Sequence, residues 1–211
     1  MSRASAGWTV LIPVKATSRG KSRIDLPAPV RQRLALAMAL DTVSAAARSA
    51  RVLAIVEDAA DAAQLGAVQG VTVHRTGVTG LNESILDGLK SLAAGPGADG
   101  PVAVLPGDLP GLRSDELTEV LHRCAAHRFA VVADHQGIGT TLLAATASAA
   151  LQPRYGVSSF AAHQLAGATP IDLPAGSSLR WDIDTVADLG AAVGPFTSEV
   201  RHSLASGPAG R

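Results

Sequence analysis

From Trp8 to Ala133 short apolar runs alternate with segments of helical spacing, and this alternation is the strongest constraint on the fold. Trp8 to Val14 (WTVLIPV), Val52 to Val56, Val71 to His74, Val102 to Leu105 and Phe129 to Ala133 read as buried strands. Between them lie Pro29 to Ala50, Asp58 to Leu65, Leu81 to Ala93 and the stretch from Ser114 toward His127. Leu81, Ile85, Leu86, Leu89 and Leu92 recur at the helical interval, and Pro29 suits a first helical turn. Strand and helix in strict succession predict an α/β fold with a doubly wound, mostly parallel sheet. After Asp134 the rhythm breaks. GIGTTLLAA reads as a strand, SSFAAHQLAG as a short helix, LRWDIDT as a strand end and TVADLGAAV as a helix. That departure predicts a small antiparallel ribbon over one end of the sheet.

With 211 residues and no linker-like stretch in the middle, the chain is expected to be a single domain. Its span is taken as residues 8–193, with 1–7 a flexible N-terminus and 194–211 a loosely ordered tail. Lys+Arg and Asp+Glu are both 18, so there is no general electrostatic pull toward nucleic acid or membrane. Aromatics are 3%, too few for a base-stacking surface, which also argues against nucleic acid as a partner. The lone Cys124 rules out disulfides and cysteine-rich metal sites within one chain. No apolar stretch suits a signal peptide or a bilayer crossing, so the expected location is cytoplasmic.

In open α/β sheets ligands gather beyond the carboxyl ends of the strands. Four polar segments fall there. The first, LIPVKATSRGKSRI, ends in Gly-Lys-Ser like a phosphate-binding P-loop. A Walker motif would need glycine at position 15, which is Lys15, and Asp25 to Pro29 intervene before the helix. It is not a P-loop. Lys15, Arg19, Lys21 and Arg23 nevertheless follow the first strand, with Gly20 for close approach. Two readings stand: a solvated basic loop, or a cradle for a triphosphate.

PGDLPG places Asp108 directly after the fourth strand, in a loop stiffened by Pro106 and Pro110. It reads either as a turn aspartate bonded to its own backbone or as a carboxylate reaching a divalent cation. In WDIDT, Asp182 and Asp184 are two apart and share one face of an extended segment. Two like charges side by side repel unless a cation lies between them, and magnesium accepts a few carboxylates plus phosphate oxygens. The alternative is that Asp184 caps the following helix while Asp182 is solvated.

Taken in order, IPVK with GKSRI, GLNESI, LPGDLPGL, ADHQGIGTTLL, YGVSSFAAH and WDIDTVADL resemble the phosphoenolpyruvate/2-phospho-L-lactate guanylyltransferases of coenzyme F-420 biosynthesis. These are relatives of the molybdopterin nucleotidyltransferases, and the resemblance runs from about Trp8 to Val193. It implies a Rossmann-like nucleotidyltransferase fold. It implies that Lys15, Lys21 and Arg23 hold the phosphates of GTP, and that Asn82 and Glu83 lie near guanine or ribose. Asn82 also suits a helix cap. Thr141, Gly156 and Ser159 are implied as acceptor contacts. Gly156 allows close backbone approach, and the serines open a helix whose free amides attract an anion. His163, four residues beyond Ser159, is expected to pack or to support the site. Tyr155 stands where relatives usually carry Phe.

The implied reaction is attack by a phosphate oxygen of phosphoenolpyruvate on the α-phosphorus of GTP, releasing pyrophosphate. Asp108, Asp182 and Asp184 would hold magnesium (Mg2+), with Asp108, Lys15 and Lys21 carrying the chemistry. The alternatives are 2-phospho-L-lactate as acceptor, a molybdopterin-type nucleotidyl transfer, and a nucleotide-sensing domain without turnover. A downstream enzyme of the deazaflavin pathway is a candidate partner.

Overall fold

The structure is a computed structural model and describes residues 7–17, 24, 26–95, 99–185, 187–190 and 193–205. Lys21 and Arg23, both expected to bind phosphate, lie outside the described residues.

One sheet organises the molecule. Its strands are β1 (Thr9–Val14), β2 (Arg51–Val56), β3 (Val71–Arg75), β4 (Val102–Val104), β5 (Phe129–Ala133), β6 (Thr140–Ala145) and β7 (Thr169–Pro170). They lie in the order β3-β2-β1-β4-β6-β5-β7. All pairs are parallel except those of β6, which runs against both β4 and β5. The antiparallel element is therefore the β5–β6 hairpin, and it lies inside the sheet rather than over its end. The helices are α1 (Ala28–Ala47), α2 (Ala59–Gly66), α3 (Leu81–Ala93), α4 (Ser114–Cys124), α5 (Ser159–Leu165) and α6 (Pro195–Ala205).

Helices cover both faces, so the central strands are apolar on both sides. Along β1, Val10, Ile12 and Val14 join the core beneath α1 and α4, while Leu11 joins the core beneath α3. Val52, Ala54 and Val56 alternate in the same way with Leu53 and Ile55. Helix α3 comes unusually close, because a Cβ at Gly88 would collide with Ile55 Cδ1. Helix α1 is buried on more than one side. Leu34, Met38 and Ala37 form a third cluster with Ile183, Leu189 and Val200, which explains its alanine-rich and weakly sided sequence.

Two expectations are corrected. The segment LRWDIDT is not a strand; it holds a 3-10 turn at Ser178–Arg180, and Ala187–Gly190 forms another. Within the tail expected to be loosely ordered, residues 206–211 lie outside the described residues, and Pro195–Ala205 forms α6. Its first amides are satisfied from a distant element: Asp41 of α1 accepts from Phe196 N at 3.1 Å and Thr197 N at 2.8 Å. Gly194 N donates to Pro110 O at 2.7 Å, and Val200 is buried against α1. The cap is 155 residues away in sequence, so the local pattern does not announce it.

Hairpin β5–β6 carries a bulge. Val132 pairs with Leu142 but Ala133 pairs with Thr140, leaving Thr141 as the extra residue. The bulge resets the two-residue alternation at the end of β6, which would otherwise put Thr140 on the face of Leu142 and Ala144.

Candidate functional site

A cleft of about 820 Å³ opens beyond the carboxyl ends of β1, β4 and β5. This size suits a small-molecule site. Lys15 enters it directly after β1, and Asp108 after β4. The turn before Asp108 passes close to β1, because a Cβ at Gly107 would sit 3.3 Å from Val14 Cγ2 and 3.5 Å from Pro13 O. Asp182 and Asp184 line the same cleft. Between them Ile183 is 1% exposed and turned into the third cluster, so the expected alternation holds without a strand. Ile183 N donates to Asp108 O at 3.0 Å, which ties the two acidic segments together.

The carboxylates act on one another. Asp182 is pushed up from 3.8 to about 6, first by burial and then by the charge of Asp108, with smaller pushes from Asp184 and Asp134. Its Oδ1 is buried with no hydrogen-bond partner among the described residues, and His135 Nδ1 stands 3.7 Å away. His135 stacks on Trp181, with ring centroids 4.6 Å apart and planes at 9°. Asp134 is partly engaged by the backbone: its carboxylate accepts from Ile138 N at 2.9 Å and Gly139 N at 2.7 Å. Asp188 accepts from the amides of Asp184 and Thr185, at 3.1 and 2.7 Å, and fixes the turn. A buried, unsatisfied carboxylate oxygen among like charges fits a cation. Among the described residues no three His, Cys, Asp or Glu side chains by themselves form a metal cluster. The fit is thus to a cation whose remaining ligands come from elsewhere, as is usual for magnesium at phosphate sites.

On the opposite wall are Gly156 and Ser159. Gly156 has φ 146° and Ser158 sits in the left-handed region at φ 54°. Ser159, 3% exposed, begins α5. Thr141 is placed differently from the expectation. It is the bulge residue, 1% exposed, with its hydroxyl 3.4 Å from Ala133 O, and it is Thr140 that lines the cleft.

Asn82 and Glu83 are not among the cleft-lining residues, whereas their neighbour Leu81 is. Asn82 clamps the opposite wall instead. Its Nδ2 donates to Tyr155 O at 3.0 Å and its Oδ1 accepts from Tyr155 N at 2.8 Å. Glu83 is exposed in the first turn of α3, over Gly80. The basic loop has an anchor that sequence reasoning missed. Asp61 of α2, 4% exposed, accepts from Thr17 N at 3.1 Å and Thr17 Oγ1 at 2.9 Å. Asp134, His135 and Thr140 were also missed as cleft residues. They lie in the matched segment ADHQGIGTTLL, at the end of β5 and start of β6, where the turn HQGIG returns the chain.

Residues 8–192 match the family described as "Guanylyl transferase CofC like". A phosphoenolpyruvate guanylyltransferase of Streptomyces scabiei (strain 87.22) is 41% identical over 195 residues, covering 89% of this chain and 90% of its own. One of Streptomyces coelicolor is 41% identical over 208 residues, covering 93% and 97%. Among solved structures, a Desulfovibrio desulfuricans G20 protein assigned to the nucleotide-diphospho-sugar transferases superposes with a TM-score of 0.70 at 18% identity, covering 95% of this chain and 96% of its own. The 4-diphosphocytidyl-2C-methyl-D-erythritol synthase of Anaerococcus prevotii DSM 20548 superposes with a TM-score of 0.58 at 12% identity, covering 95% and 97%. At these identities the structural likeness concerns the fold. Among the described residues no helix is long and apolar enough to cross a membrane.

Proposed function

Because the chain belongs to the CofC-like guanylyl transferase family, we propose that it transfers GMP from GTP to the phosphate of phosphoenolpyruvate, releasing pyrophosphate, in coenzyme F-420 biosynthesis. The relatives of 41% identity, named for that acceptor, support the choice of phosphoenolpyruvate. The observation that carries the chemistry is the meeting of Lys15, Asp108, Asp182 and Asp184 in one cleft, with Asp182 raised to about 6 by burial and its like-charged neighbours.

In the reaction a phosphate oxygen of the acceptor forms a bond to the α-phosphorus of GTP. The bond from that phosphorus to the bridging oxygen breaks, and pyrophosphate leaves with the electron pair. The attacking phosphate is already ionised near neutral pH, so no strong general base is needed. The difficulty is bringing two anions together. Lys15 stands where the triphosphate would cross the end of β1, and Lys21 and Arg23 are proposed to join it. Asp108 and Asp182 would hold magnesium, with Asp184 beside them. When bound, the metal offsets charge on the transferring and leaving phosphates. Gly156 and Ser159 would border the acceptor on the far wall.

The test is pyrophosphate release with magnesium, each nucleoside triphosphate being tried against phosphoenolpyruvate and 2-phospho-L-lactate separately. Release with GTP and phosphoenolpyruvate alone is expected. Equal release with 2-phospho-L-lactate would shift the acceptor, and GTP binding without turnover would point to a sensing role. Asp108→Ala is expected to abolish release while the melting curve stays cooperative.

A further inference from the structure

His163 is 0% exposed, and both of its ring nitrogens are engaged. Nε2 lies 2.9 Å from Arg154 N. A peptide N–H can only donate, so Nε2 accepts and carries no proton. The neutral ring must then hold its hydrogen on Nδ1. Nδ1 lies 2.9 Å from Thr140 Oγ1, so the ring donates to the threonine hydroxyl. Burial, and then the charge of Arg154, push His163 down to about 4, which keeps the ring neutral near pH 7. Tyr155 meets the ring edge-on, with centroids 5.1 Å apart and planes at 74°, and Asn82 fixes the Tyr155 backbone.

The consequence falls on Thr140. One lone pair of its oxygen is taken by the Nδ1–H, and no acceptor among the described residues takes its own proton. The residue lines the cleft beside Gly156 and Ser159, on the wall assigned above to the acceptor. A hydroxyl that receives one hydrogen bond becomes a better donor of the next. The bulge at Thr141 is what turns Thr140 toward α5 and the cleft.

We propose that Thr140 binds the acceptor by donating its hydroxyl proton to an anionic oxygen of the phosphorylated acid, and that His163 is the positioning residue that commits the hydroxyl to that role. This rests on the function proposed above. It explains why a histidine is buried where no proton transfer is required.

The test compares the wild type with Thr140→Val, which keeps the shape, and Thr140→Ser, which keeps the hydroxyl. Thr140→Val is expected to raise the acceptor KM by about tenfold or more, the loss typical of a hydrogen bond to a charged group, while the GTP KM stays within about twofold. Thr140→Ser is expected to restore the acceptor KM. An unchanged acceptor KM in Thr140→Val overturns the proposal and leaves the transferase reading standing. A wild type that turns over no acceptor overturns both. Independently of activity, the ¹⁵N spectrum of His163 is expected to show Nδ1 protonated and Nε2 bare near pH 7. The opposite tautomer, or a doubly protonated ring, overturns the positioning role.

Discussion

Asp182 is the residue most strained by the cleft. An acid whose folded pKa is raised carries no cost while it is protonated in both states. The cost appears as pH rises past its usual 3.8 and is complete above about 6. The metal-free protein is therefore expected to lose stability across that window, by on the order of 2–3 kcal/mol. Melting curves in chelator should show the loss, and Asp182→Asn should remove most of the slope. A slope that survives Asp182→Asn belongs to another group. Tyr155 makes a second case at this scale. Its hydroxyl is buried without a hydrogen-bond partner among the described residues, and burial pushes its pKa up. An unsatisfied buried hydroxyl costs about 1–3 kcal/mol. Tyr155→Phe is expected to raise Tm by about 2–4 °C, the shift that corresponds to roughly 1 kcal/mol in a chain of this size. A lower Tm would mean that the hydroxyl is satisfied by solvent.

At the scale of elements, three acidic positions were legible because each follows a strand or a two-residue alternation that survives folding. Thr140 was not, since a bulge shifts which of two adjacent threonines faces the cleft, and alternation cannot foresee it. Asn82 shows a different limit. The resemblance implied a place near guanine or ribose, and its position suited a helix cap, but neither foretold that its amide reaches Tyr155, 73 residues on. The two roles separate in kinetics. Asn82→Ala should loosen the 155–159 wall and raise the acceptor KM several-fold, with little change in the GTP KM. The reverse pattern would restore Asn82 to the nucleotide half.

For the whole molecule, the doubly wound sheet was readable from alternation alone, because strands buried on both faces must be apolar throughout. The position of β6 was not, since pairing order depends on contacts far apart in sequence. The same holds for α6, whose capping carboxylate comes from α1. Asp41→Ala should cost about 1–2 kcal/mol by removing that cap, with the losses concentrated in α6. Denaturant titration, together with amide exchange at Phe196 and Thr197, would show whether α6 is released before the sheet unfolds. Uniform exchange across the chain would instead make α6 part of the global unit.

The reversed strand has a practical consequence for anyone wishing to change what this protein guanylates. Because β6 returns beside β5, residues 129–170 make up a contiguous block at one end of the sheet, carrying the wall that holds Thr140, Gly156 and Ser159. Its seams to the rest include the short β4–β6 pairing, the Asn82 clamp and the Arg180 bonds to Asp134 O. A graft of that block from a relative with another acceptor, carried together with its partners at positions 82 and 180, would be the natural first chimaera.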